Sequence, residues 1–305
     1  MIHHFLTLQD HPAEVLESLL RRASELKGSR SAPKPGPLSG KALGLLFEKP
    51  STRTRVSFEV ATAQLGGTTV SLAAADLQLS RGETPADTAR TLSRYLSGLV
   101  IRTYDQKTLD EWARYSTIPI INGLSDLHHP CQAMADLLTI REQFGALKGL
   151  RLAYIGDGNN VAHSLIEGGA KTGMTVVLAC PKGFDPNPQI VQKARETADP
   201  TGGGIEILRD PLKAADGADV LYTDVWVSMG KERESKKRLA RFKPYQINSR
   251  LLKQARPHAI VMHCLPAHRG LEITADVMDG PQSAVWDQAE NRLHAQKAIL
   301  EWLLT

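Results

Sequence analysis

Ser51-Thr52-Arg53-Thr54-Arg55 follows an apolar run, residues 42–47, and opens a helix-like pattern. Ser51 suits the N-cap position, and the residues after it present backbone N–H groups that find no partner inside a helix. Hydroxyls and a guanidinium at a helix N-terminus make an anion site from local parts. The plain alternative is a capped surface helix with a basic first turn. Basic side chains there oppose the helix macrodipole, so Arg53 and Arg55 point to an anion that offsets them. Two further donors are distant in sequence. Arg102 ends the apolar run 99–101, in the position where ligands of open α/β sheets bind. His129-Pro130-Cys131-Gln132 opens another helix, with Pro130 at a favoured first-turn position. By itself His129 reads as a capping or packing residue. His128, His129 and Cys131 raise the question of a metal, but no second ligand cluster has a metal-binding spacing, so no metal is expected.

A second group of polar residues lies in the C-terminal half. Asp224-Val225-Trp226-Val227-Ser228-Met229-Gly230 follows the apolar run 220–223 and leads into charged sequence. Asp224 is suited to an α-ammonium, and Ser228, Met229 and Gly230 read as a mobile lid; an ordinary turn beginning with Asp accounts for the spacing equally well. His263-Cys264-Leu265-Pro266 follows the run 260–262. A Cys/His pair suggests a thiol nucleophile, but neighbours on extended backbone face opposite ways, so Cys264 is read as lining a cleft. Gly156-Asp157-Gly158-Asn159-Asn160 follows residues 152–155 like a dinucleotide-binding turn, yet Val161 stands where the third glycine belongs. No cofactor is expected.

The elements that must position these groups alternate along the chain. Strands are predicted at residues 42–47, 68–72, 99–101, 118–121, 152–155, 175–179, 205–208, 220–223, 260–262 and 284–286. Helices are predicted between them, at 53–65, 85–96, 130–144, 161–172 and 188–197, and a last helix at 287–303. Residues 31–40 and 199–204, rich in proline or glycine, read as loops. Strand–helix alternation predicts the α/β class: two doubly wound domains, each a mainly parallel sheet flanked by helices. The glycine-bounded stretch 145–149 places the domain boundary, giving residues 1–145 and 146–286, with helix 287–305 expected to pack back on the first domain.

Of the 305 residues, 42% are apolar and 23% charged, as in ordinary globular proteins, and the net charge is +4. That excess is too mild for a nucleic-acid partner, and the basic run 231–241 reads as a solvated face. Three cysteines, Cys131, Cys180 and Cys264, with no CxxC pair, suit a reducing compartment rather than a disulfide framework. Neither a leader nor a membrane-spanning run is evident, so the expectation is a cytoplasmic protein with no membrane partner.

Taken in order, Ser51–Arg55, residues 78–83, residues 87–90, Arg102, His129–Gln132, residues 156–160, residues 224–230, His263–Pro266 and residues 290–292 resemble the aspartate/ornithine carbamoyltransferase family over nearly the whole chain. The Asp-x-x-x-Ser-Met-Gly and His-Cys-Leu-Pro segments resemble its ornithine-using branch. The resemblance implies transfer of the carbamoyl group of carbamoyl phosphate to the side-chain amine of L-ornithine, giving citrulline and phosphate in arginine metabolism, with the active site in the cleft between the domains. It implies that Ser51, Thr52, Arg53 and Thr54 cradle the phosphate. Arg102, His129 and Thr54 contact the carbamoyl carbonyl, and Gln132 accepts from the carbamoyl amide. Gln78 reaches the phosphate of a neighbouring subunit, which implies a homotrimer or a multiple of one. Arg55 stands one step behind the ligands. Asn160, Asp224, Ser228 and Met229 hold ornithine, Cys264 and Leu265 sit between the substrates, and Arg292 closes the carbamoyl side. Arg102, His129 and Cys264 are the implied catalytic residues.

Overall fold

In the computed structural model, which describes residues 3–28, 35–73, 75, 77–227 and 235–305, the apolar runs become parallel strands that end in polar turns. The chain forms two units, residues 1–138 with 290–305, and residues 139–289. The first contains α1 (Ala13–Gly28), β1 (Ala42–Phe47), α2 (Thr52–Gln64), β2 (Thr68–Ala73), α3 (Pro85–Leu92), β3 (Gly98–Arg102), α4 (Gln106–Tyr115), β4 (Ile120–Leu124) and the start of α5 (Pro130–Phe144). The second contains β5 (Arg151–Ile155), α6 (Asn160–Thr172), β6 (Thr175–Ala179), α7 (Pro188–Thr201), β7 (Gly204–Leu208), α8 (Pro211–Ala215), β8 (Val220–Thr223), α9 (Ser235–Phe242), α10 (Ser249–Leu252), β9 (Ile260–His263) and α11 (Ala275–Met278). α12 (Val285–Leu304) begins in the second unit and ends in the first. The sequence boundary at 145–149 lies just past α5, whereas the compact units divide inside that helix.

The first sheet has the order β2-β1-β3-β4 and the second β7-β6-β5-β8-β9, with every pair parallel. In each, the chain first builds outward on one side and then returns to the other. The reversal leaves a switch point between β1 and β3 in one sheet and between β5 and β8 in the other. Crossover connections diverge there and open a crevice at the strands' carboxyl ends.

The central strands of both sheets are buried by helices. Leu46, Leu99, Ile101 and Ile120 pack with Leu109 and Trp112 of α4 in the first unit. Ala153, Ile155, Val177, Leu221 and Val261 pack with Val277 and Met278 of α11 in the second. All ten residues from Val161 to Ala170 of α6 are buried. Gly169 permits that depth, since a Cβ there would fall 2.3 Å from Val176 Cγ2 of β6. No helix of the described residues is long and apolar enough to cross a membrane.

Two local expectations are corrected. Residues 284–286 are not a strand: Ser283 forms a single parallel bridge with Val261, and α12 starts at Val285. Three apolar residues are too few to separate a strand from a helix start. Residues 199–204 are not all loop, because α7 continues to Thr201 with Pro200 in its last turn. Pro200 forfeits one backbone bond in the last turn, and Gly202 at φ 80° then caps the end.

Candidate active site

The donor residues of the first unit gather at its switch point. Phe47 of β1 is in register with Arg102 of β3, so the turn after β1 lies beside the end of β3. The Glu48 N–H donates to Arg102 O at 2.9 Å, and the Thr103 hydroxyl donates to the Glu48 carboxylate. Lys49 is buried, pairs with Asp126 and lies 3.8 Å from the Tyr104 ring centroid. These contacts hold the approach to α2. Ser51 Oγ accepts from the Thr54 N–H at 3.2 Å, which makes it the N-cap expected from sequence. Thr52 is exposed, Arg53 half-buried and Thr54 buried. Arg55 points outward to Glu59 at 3.0 Å.

Arg292 of α12 is buried and joins two other helices. Its Nη1 donates to Gln132 Oε1 at 2.7 Å and its Nη2 to Thr54 Oγ1 at 3.0 Å. Gln132 Nε2 donates in turn to Asp136 Oδ1 at 2.9 Å. Sequence reasoning missed Asp136, whose available signal was its place one helical turn after Gln132. Gln78 is exposed on a 3-10 turn, Gln78–Arg81.

His129 precedes α5, and its carbonyl accepts from Gln132 N–H at 3.1 Å and Ala133 N–H at 3.2 Å. Burial drives the imidazole well below its ordinary pKa, and the positive charges of Arg292, Arg102 and Arg53 add to that effect. His129 is therefore a neutral hydrogen-bonding group at neutral pH. Below about pH 6.5 the unfolded chain takes up a proton that folded His129 refuses, so stability falls as pH drops from there toward the folded pKa. Replacing His129 by Gln is expected to flatten part of that fall, measured as urea-unfolding free energy between about pH 7 and 5. An unchanged slope would show that the buried ring is not held neutral. Beside it, Cys131 is buried, its thiol pushed up to about 12 by that burial.

In the second unit the acceptor candidates also meet at a switch point. Asp224 follows β8 and Cys264 follows β9; Thr223 is in register with His263, which brings the next residues side by side. Cys264 Sγ donates to Asp224 Oδ1 at 2.8 Å, and the Val225 N–H donates to the same oxygen at 2.7 Å. Asn159 Nδ2 donates to Asp224 Oδ2 at 2.6 Å. Asn159 thus holds Asp224. The missed signal was its N-cap position before a helical run. Asn160 is half-buried at the first residue of α6. Leu265 adopts φ 61°, a strained backbone for a non-glycine residue. Its N–H donates to His263 Nδ1 at 2.8 Å, leaving His263 Nε2 to donate to Glu272 Oε1 at 3.2 Å.

Asp224, His263 and Cys264 place potential ligand atoms within 4.8 Å of one another. Both His263 nitrogens are engaged, by Leu265 and Glu272, and the thiol donates to the Asp224 carboxylate, so each of these groups already has a protein partner. Ser228, Met229 and Gly230, the expected lid, lie outside the described residues. On α9, the buried Arg238 pairs with Asp157 and donates from Nε to Trp226 O at 2.6 Å. The Phe184 and Phe242 rings lie 4.7 and 5.2 Å from its guanidinium.

Residues 3–142 match the family model described as the aspartate/ornithine carbamoyltransferase carbamoyl-P binding domain, and residues 148–303 match that of the Asp/Orn binding domain. An anabolic ornithine carbamoyltransferase of Pyrococcus furiosus is 55% identical over 296 residues, covering 97% of this chain and 94% of that protein. A solved ornithine carbamoyltransferase from P. furiosus superposes with a TM-score of 0.95 at 52% identity, covering 99% of this chain and 97% of the other. The crystal structure of ornithine carbamoyltransferase from Gloeobacter violaceus gives 0.90 at 54% identity, with 99% and 98% covered.

Proposed function

Because the chain belongs to the aspartate/ornithine carbamoyltransferase family, we propose that it transfers the carbamoyl group of carbamoyl phosphate to the side-chain amine of L-ornithine, forming citrulline and phosphate. The observation that carries the reading is the buried Arg292, which bonds Thr54 in the capped first turn of α2 and Gln132 at the start of α5. Arg292, Arg102 and Arg53 add positive charge around His129, and a phosphate dianion at the α2 N-terminus offsets it.

In this reading Ser51, Thr52, Arg53 and Thr54 take the phosphate, and Arg102 and His129 take the carbamoyl oxygen. Gln132, whose Oε1 already accepts from Arg292, has one more lone pair for the carbamoyl amide. Asn160, Asp224, Ser228 and Met229 take the amino-acid end of ornithine, and Cys264 and Leu265 lie next to the reacting groups.

The free amine attacks the carbamoyl carbon, the tetrahedral oxyanion collapses, and the carbon–oxygen bond to phosphate breaks. An alkylamine resembles Lys, with a pKa of about 10.4, so freeing its lone pair at pH 7 costs about 4–5 kcal/mol. The departing phosphate is a suitable acceptor for the proton lost on C–N bond formation. The arginines and neutral His129 stabilise the oxyanion and leaving group, so positioning and charge stabilisation carry catalysis.

The working form is a homotrimer in the cytoplasm, with the exposed Gln78 reaching a neighbouring subunit's phosphate. The free cysteines fit that compartment. Purified protein mixed with carbamoyl phosphate and, separately, ornithine, putrescine, N-acetylornithine, N-succinylornithine or aspartate is expected to form citrulline from ornithine. A faster rate with any other amine would reassign the acceptor.

A further inference from the structure

Asp224 is gripped from both ends, by Cys264 and the Val225 N–H on Oδ1 and by Asn159 on Oδ2. What holds Asn159 is less evident from its sequence. Its Oδ1 accepts from the Val161 N–H at 3.1 Å and the Ala162 N–H at 3.2 Å, closing the first turn of α6. A third donor, the hydroxyl of the fully buried Tyr154 on β5, reaches the same oxygen at 3.1 Å. The amide orientation is unambiguous, with three donors on the oxygen and a carboxylate on the nitrogen.

We propose that Tyr154 is a positioning residue of the acceptor half-site: its hydroxyl locks the Asn159 amide, and through it the Asp224 carboxylate, in the orientation that receives the acceptor's ammonium. The proposal rests on the reading of Asp224 as an ornithine ligand. The two backbone donors fasten Asn159 Oδ1 to the helix but leave the amide plane free to turn about a broad terminal torsion. A donor arriving from the sheet supplies the third point that defines the plane. Nδ2 is then aimed at Oδ2, and Asp224 cannot rotate without breaking a bond at one end or the other.

The hydroxyl is also a constant donor. Burial, and then the neighbouring Asp224 carboxylate, push the phenol well above its ordinary range, so it stays protonated through the neutral pH range. The ring has a packing role of its own, stacked on Tyr222 at 5.8 Å between centroids, which Phe preserves.

Tyr154→Phe separates the two roles. Asn159 keeps its two helix donors, so the cap survives while the amide plane is released. The KM for ornithine is expected to rise about five- to tenfold, the ratio one hydrogen bond supports, with the carbamoyl phosphate KM within about twofold of the parent. An unchanged ornithine KM, or equal losses toward both substrates, would overturn the proposal, since a purely structural hydroxyl moves the melting temperature without splitting the two KM values. A substrate-free measurement complements it. The Asn159 side-chain amide signals in 15N–1H spectra are expected to shift in Tyr154→Phe and to broaden as the plane turns. If they stay in place, the lock does not exist, whatever amine the parent enzyme uses. A parent enzyme that forms no citrulline would instead refute the acceptor assignment, which that spectrum does not test.

Discussion

Arg53→Ala is expected to reduce kcat/KM for carbamoyl phosphate by about 10²–10³, the usual cost of removing one donor aimed at developing charge. Arg53 stands in the first turn of α2, where a cation opposes the helix dipole. Its charge nevertheless reaches the buried His129, alongside Arg102 and Arg292. A bound anion offsets that opposition. Two measurements together test this. Steady-state kinetics should show the loss in kcat as well as KM, because charge on the leaving phosphate grows toward the transition state. Thermal unfolding should show a smaller rise in Tm on adding carbamoyl phosphate for Arg53→Ala than for the parent. Near-parent kinetics would remove Arg53 from the phosphate site.

Arg238→Met is expected to lower the unfolding free energy by about 3–5 kcal/mol, the range for breaking a buried ion pair from one side. Arg238 and Asp157 have side-chain exposures of 4% and 8%, so the deserted carboxylate would have little access to water. Methionine keeps the stem's packing between Phe184 and Phe242, which leaves the lost charge as the main change. Adding Asp157→Leu to Arg238→Met should recover much of the loss, because removing both charges abolishes the stranded one. Urea unfolding of the four proteins in the cycle measures this coupling. A loss below about 1 kcal/mol for Arg238→Met would mean that water reaches Asp157.

The phosphate motif was legible because its parts are contiguous. Ser51 caps the helix that its own sequence announces, and the capping bond to Thr54 spans three residues. The strands were equally legible, since a strand buried on both faces reads as a continuous apolar run. The short run 284–286 failed for lack of length, and the glycines 202–204 mark where α7 ends rather than a loop from residue 199.

Asn159 shows the opposite limit. Read along the chain it is one of two adjacent asparagines, and its N-cap position alone says nothing of Asp224, sixty-five residues away. The cap decides it, because the N-cap oxygen takes the Val161 and Ala162 N–H groups and leaves the amide nitrogen for Asp224.

The sequence by itself determined the strand–helix alternation, the anion-binding helix start and the polar turn at the end of each key strand, since these depend on residues within a few positions of one another. Only the tertiary structure decided which turns become neighbours. The strand orders put Ser51 beside Arg102 and Asn159 beside Asp224, and the register of β8 with β9 put Cys264 on Asp224. Those pairings are settled by the burial of whole strand faces, an energy summed over the sheet that no single motif carries.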